Sequence, residues 1–121
     1  MVKNFSNASL QIVISNQGEN KYNMNWIGQS DDRTPSTSLN PYLDSLIPAL
    51  AGSQLVVEYT QLEYMNSSTV PPIIQFIKKL NSNETTTLIH YDASSKWQSA
   101  SFKAIETLSR MMPHITVKGL K

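Results

Sequence analysis

Cysteine is absent from the 121 residues, which excludes disulfides, thiolate chemistry and Cys-based zinc sites. Glycine is scarce, with four residues in the whole chain, and neither a Gly-rich phosphate loop nor a G-x-S-x-G nucleophile elbow occurs. Histidine appears only as His90 and His114, both in stretches that read as strands. No apolar run approaches the ~20 residues needed to span a bilayer. The opening Met1-Val-Lys-Asn-Phe-Ser-Asn-Ala-Ser9 has no apolar core of a secretory leader. An excess of one charge is missing too: 10 Lys and Arg stand against 9 Asp and Glu, so nothing marks a nucleic-acid surface. These gaps lead to the expectation of a cytoplasmic domain with no membrane or nucleic-acid partner, no cofactor and no metal.

The same gaps argue against an enzyme. Ser67, His90 and Asp92 can be combined on paper into a Ser-His-Asp set, but convergence of three residues is not legible in a sequence. None of the companion groups that catalysis needs is visible. Asp31-Asp32 supplies too few oxygens for a hard cation and is expected in a solvated loop. Asn-X-Ser/Thr triplets begin at Asn4, Asn7, Asn66 and Asn83. In an Asn- and Ser-rich chain without a leader they are expected to be chance matches rather than glycosylation sites.

What is present is a chain that is 40% hydrophobic, enough for one domain spanning residues 1–121 with a sizeable core. After a loose leader over 1–8, Leu10, Ile12 and Ile14 alternate with polar residues, as do Tyr22, Met24 and Trp26. The two runs read as an antiparallel hairpin. Asn40-Pro41 starts a helix carrying Leu43, Leu46, Ile47 and Leu50; Pro48 is expected to break it near residue 47, and Gly52 to stop it. A strand from Leu55 onward runs into Leu62, Tyr64 and Met65. Ile73, Ile74, Phe76, Ile77 and Leu80 then mark a second helix. Thr85–Tyr91 is β-branched and aromatic, hence a strand. Trp97, Ala100, Ala104, Leu108 and Met111 recur at helical spacing, with Ile105 and Met112 beside them and Glu106 and Arg110 as an i,i+4 pair. Pro113 ends that helix, and His114–Val117 closes the chain as a strand. The order is β-β-α-β-α-β-α-β, an α/β domain with a mixed sheet whose later strands run parallel.

The stretch that organises this layout is Glu58-Tyr-Thr-Gln-Leu-Glu-Tyr-Met-Asn-Ser-Ser-Thr-Val-Pro-Pro72, where a strand hands over to a helix through small hydroxyl residues. Free N–H groups and the helix dipole favour negative charge at such a point. Capping near Ser68 would put Pro71 and Pro72 at the third and fourth helical positions, where the missing N–H costs nothing. Ser67 would then lie just outside the helix with its hydroxyl reachable by a partner. On pattern alone, Asn66, Ser67 and Ser68 also read as ordinary helix caps.

The run Tyr64-Met65-Asn66-Ser67-Ser68 between an apolar strand and an amphipathic helix resembles the STAS domains of bacterial anti-sigma-factor antagonists. Those carry an Asp-Ser-Ser-Gly type motif whose first Ser is phosphorylated. Asn66 stands in place of that Asp, and Thr69 in place of that Gly. The stretch is more similar to the SiaC-type family of small STAS-like regulators, with a Tyr-Leu-Asn-Thr-Ser-Ser motif and a following strand like His90-Tyr91-Asp92. The resemblance implies a single STAS-like domain, with a mixed β-sheet and helices packed mainly on one face. It implies a non-enzymatic partner switch in which Ser67 (alternatively Ser68) is phosphorylated by a GHKL-type serine kinase and dephosphorylated by a PP2C-type phosphatase. Glu58, Asn66, Ser67, Ser68 and Thr69 would then meet the partner, and the output would be a diguanylate cyclase of cyclic-di-GMP synthesis or an anti-sigma factor. Two other functions suit the same fold: a constitutive scaffold subunit, and a domain binding a small anionic ligand such as a nucleotide at the helix N-terminus.

Overall fold

The computed structural model describes residues 3–120. The first two residues of the expected leader lie outside the described residues. The remainder of that leader is not loose: β1 (Phe5–Ser6) pairs antiparallel with β2 (Leu10–Gly18). Phe5 packs against Tyr42 with ring centroids 5.1 Å apart, and the Tyr42 hydroxyl donates to the Lys3 carbonyl. Asn4 Oδ1 accepts from the Ile14 N–H at 2.8 Å, so an Asn side chain supplies what a longer strand would.

β2 and β3 (Lys21–Ser30) form the expected antiparallel hairpin. Its period-two pattern buries Leu10, Ile12, Met24 and Trp26 on one face. α1 (Leu39–Ala49) starts ahead of the expected Asn40 cap and runs through Pro48. The break anticipated near residue 47 comes only after Ala49, because Pro48 falls in the last turn, where little of the helix remains to be disrupted.

The expected strand from Leu55 to Met65 is two strands. β4 (Gln54–Glu58) runs parallel to the first half of β3, and β5 (Leu62–Met65) runs parallel to its second half. Gly28 stands where β3 changes neighbours. Its φ is +96°, and a Cβ there would lie 2.3 Å from the Ser9 carbonyl oxygen, so only glycine fits. α2 (Val70–Ser82), β6 (Thr86–Asp92), α3 (Lys96–Ser109) and β7 (Ile115–Leu120) complete the chain.

The sheet order is β1-β2-β3-β4-β6-β7, and the strands from β3 onward are parallel. Each crossover steps one strand in the same direction, and right-handed crossovers then place α1, α2 and α3 on one face. Burial follows that arrangement: Leu55, Val57, Thr87, Ile89, Tyr91, Ile115 and Val117 are covered, while Val56, Glu58, Leu88, His90, Thr116 and Lys118 alternate onto the uncovered face.

α3 lies rotated from its expected stripe. Its buried residues are Gln98, Phe102, Ile105 and Ser109, whereas Ala100, Ala104 and Met111 are exposed. Gln98 turns inward because it satisfies the gap between β4 and β5. Its Nε2 donates to the Tyr59 and Leu62 carbonyls at 2.8 and 2.9 Å, and its Oε1 accepts from the Asp92 N–H at 2.7 Å. Glu106 accepts from the Tyr91 hydroxyl at 3.2 Å, and no Glu106–Arg110 ion pair forms among the described residues. Beneath this edge, Trp26, Tyr59, Phe102 and Tyr91 make a continuous aromatic cluster, with successive centroids 5.0, 4.7 and 5.6 Å apart.

Candidate functional site

The parallel strands β3, β4, β5 and β6 all end on one edge of the sheet, and α2 begins there. Asn66 leaves β5 in extended geometry (φ −79°, ψ 168°) and caps a 3₁₀ turn, Ser67–Thr69, that leads directly into α2. Its Oδ1 accepts from the Thr69 N–H at 3.1 Å and from Thr69 Oγ1 at 2.7 Å. The cap is therefore Asn66 and not the expected Ser68. The prolines explain how this works: a 3₁₀ turn bonds i to i+3, so the Val70 N–H satisfies the Ser67 carbonyl. Pro71 and Pro72 then occupy the second and third positions of α2, where no N–H is required.

Because Asn66 does the capping, the two serines are left free. Ser67 is exposed and Ser68 half-buried, and neither hydroxyl has a hydrogen-bond partner among the described residues. Thr69 has the opposite fate. It is 0% exposed, and its Oγ1 lies 2.7 Å from Ser30 Oγ at the end of β3. A residue so enclosed supports the turn and is not on the protein surface. Asn66 is half-buried, and its Nδ2 donates to the Asp32 carbonyl at 2.9 Å.

Glu58 lies on the sheet face away from the helices, at the end of β4. Its Oε2 sits 3.0 Å from Nδ1 of His90, its register partner on β6. The strand order puts this pair on the same sheet edge as Ser67 but on β4 and β6, whereas the Ser67 turn is anchored to β3. Asp31-Asp32 lies in the loop after β3, where Asp32 is bound within the protein: its carboxylate accepts from the Thr34 N–H at 2.8 Å and from the Ser38 hydroxyl at 3.2 Å. Among the described residues, no group of three or more His, Asp or Glu side chains is placed to hold a metal ion. No helix among them is long and apolar enough to cross a membrane.

Ser30 and Asp32 were invisible as site residues in the sequence. Their contacts to Thr69 and Asn66 span 39 and 34 positions, and no local pattern encodes such a distance.

What the geometry offers is a free primary hydroxyl at the positive end of a helix, between Asn66 and Thr69, whose side chains are both held by hydrogen bonds. Such a group is chemically suited to accept a phosphoryl group, since the added charge is stabilised by the helix dipole.

The fold is the SpoIIAA-like α/β fold, which solved structures of anti-sigma factor antagonists share. An anti-sigma factor antagonist from Mycobacterium paratuberculosis superposes with a TM-score of 0.61 at 12% identity, over 89% of this chain and 86% of that one. SpoIIAA from Bacillus in its phosphorylated form gives 0.60 at 14% identity, over 88% and 90%. A Shewanella loihica protein of the DUF3478 family, described as having a SpoIIAA-like fold, gives 0.55 at 16% identity, over 97% and 90%. No protein-family model matches the sequence, and no curated protein matches it significantly. The likeness is one of fold.

Proposed function

We propose that this protein is a non-enzymatic, bacterial partner-switching regulator whose state is set by reversible phosphorylation of Ser67. The observation that carries this reading is the Ser67 hydroxyl: exposed, unbonded among the described residues, and relieved of capping by Asn66. The fold it shares with anti-sigma factor antagonists supports the same reading. In the transfer, Ser67 Oγ forms a bond to the γ-phosphorus of ATP held by a GHKL-type kinase. The bridging P–O bond to ADP breaks, and the hydroxyl proton passes to a base on the kinase. A PP2C-type phosphatase reverses the state by hydrolysis, releasing inorganic phosphate.

The energetics suit a switch. Phosphorylation adds about −1.5 to −2 charges at pH 7. The helix N-terminus accommodates that charge, so the fold changes little. A partner surface shaped around a neutral Ser67 would instead have to desolvate a dianion. Losing ~3 kcal/mol there weakens binding more than a hundredfold. Glu58, on the same edge, and Ser68 complete the partner surface. The output is an anti-sigma factor or, by likeness to the SiaC-type motif, a diguanylate cyclase.

Intact-mass measurement of protein purified from its native host, wild type beside Ser67→Ala, tests the proposal. A phosphate-sized mass shift in wild type that is lost in the variant is the expected result. Wild type that stays unmodified across growth conditions, even with the phosphatase deleted, overturns it. A scaffold role would then account for the fold, and Ser67→Ala and Ser67→Asp would bind partners alike.

A further inference from the structure

The Ser67 turn is not held by its own helix alone. Ser30 and Thr69, 3% and 0% exposed, place their hydroxyl oxygens 2.7 Å apart. The amide oxygen of Asn66 can only accept, so the Thr69 proton lies on its 2.7 Å bond to Asn66 Oδ1. That leaves the Thr69 oxygen to accept from the Ser30 hydroxyl. Asn66 Nδ2 in turn donates to the carbonyl of Asp32, two residues beyond Ser30, and the Asn66 N–H donates to the Ser30 carbonyl, both at 2.9 Å. The bonds run head to tail, Ser30 to Thr69 to Asn66 to Asp32, and the chain closes the ring. Each bond in such a series polarises the next.

We infer that this ring joins the Asn66–Val70 turn and the 31–34 loop into one switch surface, with Thr69 as the positioning residue that keeps the Ser67 hydroxyl free. The inference rests on Ser67 being the phosphoryl acceptor. The ring holds Asn66 in the capping role, so neither serine hydroxyl has to turn inward onto the open N–H groups of the turn. It also ties the backbone at Asp32 to the Ser67 turn, and the residues on either side of Asp32, Asp31 and Arg33, are exposed.

Thr69→Val keeps the side-chain shape and deletes the oxygen; Thr69→Ser restores it. The readouts are amide hydrogen exchange on the full chain by NMR and the phosphorylated share of protein from the native host by intact mass. Thr69→Val is expected to speed exchange about tenfold, the worth of one net hydrogen bond, at Asn66 and Thr69 and also at Thr34 across the ring. The phosphorylated share should fall several-fold, and Thr69→Ser should recover both. Should Thr69→Val fail to fold, Ser30→Ala removes the other hydroxyl without added bulk and must move the same amides. Faster exchange at Thr69 with Thr34 unchanged overturns the ring. An unchanged phosphorylated share overturns the positioning role. Wild type with no phosphate overturns the acceptor reading, while the exchange data still decide whether the ring couples the two loops.

Discussion

Ser67 and Thr69 stand two residues apart and differ in everything that matters: one hydroxyl is in water, the other is sealed against Ser30 at the end of β3 and the Asn66 side chain. Substitution should expose that difference. Ser67→Asp adds charge at an exposed helix start and is expected to leave the unfolding free energy, read from urea titration, within about 0.5 kcal/mol of wild type. Partner affinity, measured by calorimetry, should nonetheless change strongly between Ser67→Ala and Ser67→Asp. Tyr59 poses the reverse case. It is fully buried, its hydroxyl has no partner among the described residues, and burial raises its pKa far above the usual tyrosine range. An unpartnered buried hydroxyl costs stability, so Tyr59→Phe is expected to be neutral or to stabilise by about 1 kcal/mol in urea unfolding. The ring contacts with Trp26 and Phe102 survive that change.

Among the elements, α3 shows how a polar residue decides the face a helix buries. The stripe of Trp97, Ala100, Ala104, Leu108 and Met111 is regular, yet the helix turns Gln98, Phe102, Ile105 and Ser109 inward. Gln98 bonds three backbone groups at the β4–β5 break and the end of β6, of which the Tyr59 carbonyl also accepts from the Leu62 N–H. Leaving a buried group unpaired costs about 1–3 kcal/mol. Gln98→Leu, similar in size, is therefore expected to destabilise by roughly 2 kcal/mol or more, read as a loss in denaturant midpoint at constant slope. α2 tells a complementary story. Its paired prolines suit a helix start, and a 3₁₀ turn absorbs the residues between Asn66 and Val70 so that no helical N–H is missed.

Across the whole molecule, the monotonic order of β3, β4, β6 and β7 puts every helix on one side and brings the ends of the parallel strands to one edge. That edge carries the Ser67 turn, the Glu58–His90 pair and the aromatic cluster beneath. Two tyrosines of the cluster, with Tyr42 beside Phe5, give the fold a characteristic pH response. Burial raises Tyr59 and Tyr42, and Tyr91 is raised by burial, then by the Glu106 charge and hydrogen bond. A tyrosine whose pKa is higher folded than unfolded holds its proton longer in the native state. Its contribution is therefore complete below the unfolded value of about 10 and is lost as pH rises beyond it. Stability is expected to be level across neutral pH and to fall above pH ~10, by about 1.4 kcal/mol per pH unit for a fully buried tyrosine. Thermal melts across pH 7–11 check this, and Tyr59→Phe should flatten the decline.

Most of this architecture was legible in the sequence, because it rests on short-range physics. Period-two alternation in Leu10–Ile14 and Tyr22–Trp26 makes a hairpin, the Ile73–Leu80 stripe makes a helix, and alternation of strands and helices makes a parallel sheet. The hydroxyl-rich turn at the start of α2 was equally visible, since turn and cap chemistry is local. Tertiary structure alone decided the rest. It split the Leu55–Met65 strand, because β4 and β5 share β3 end to end with Tyr59–Gln61 between them. It rotated α3 to bring Gln98 to that gap. It sealed Thr69 against Ser30 and tied Asn66 to the Asp32 carbonyl. Each of these turns on hydrogen bonds between residues more than 30 positions apart, whose cost or gain exists only once the chain has brought them together.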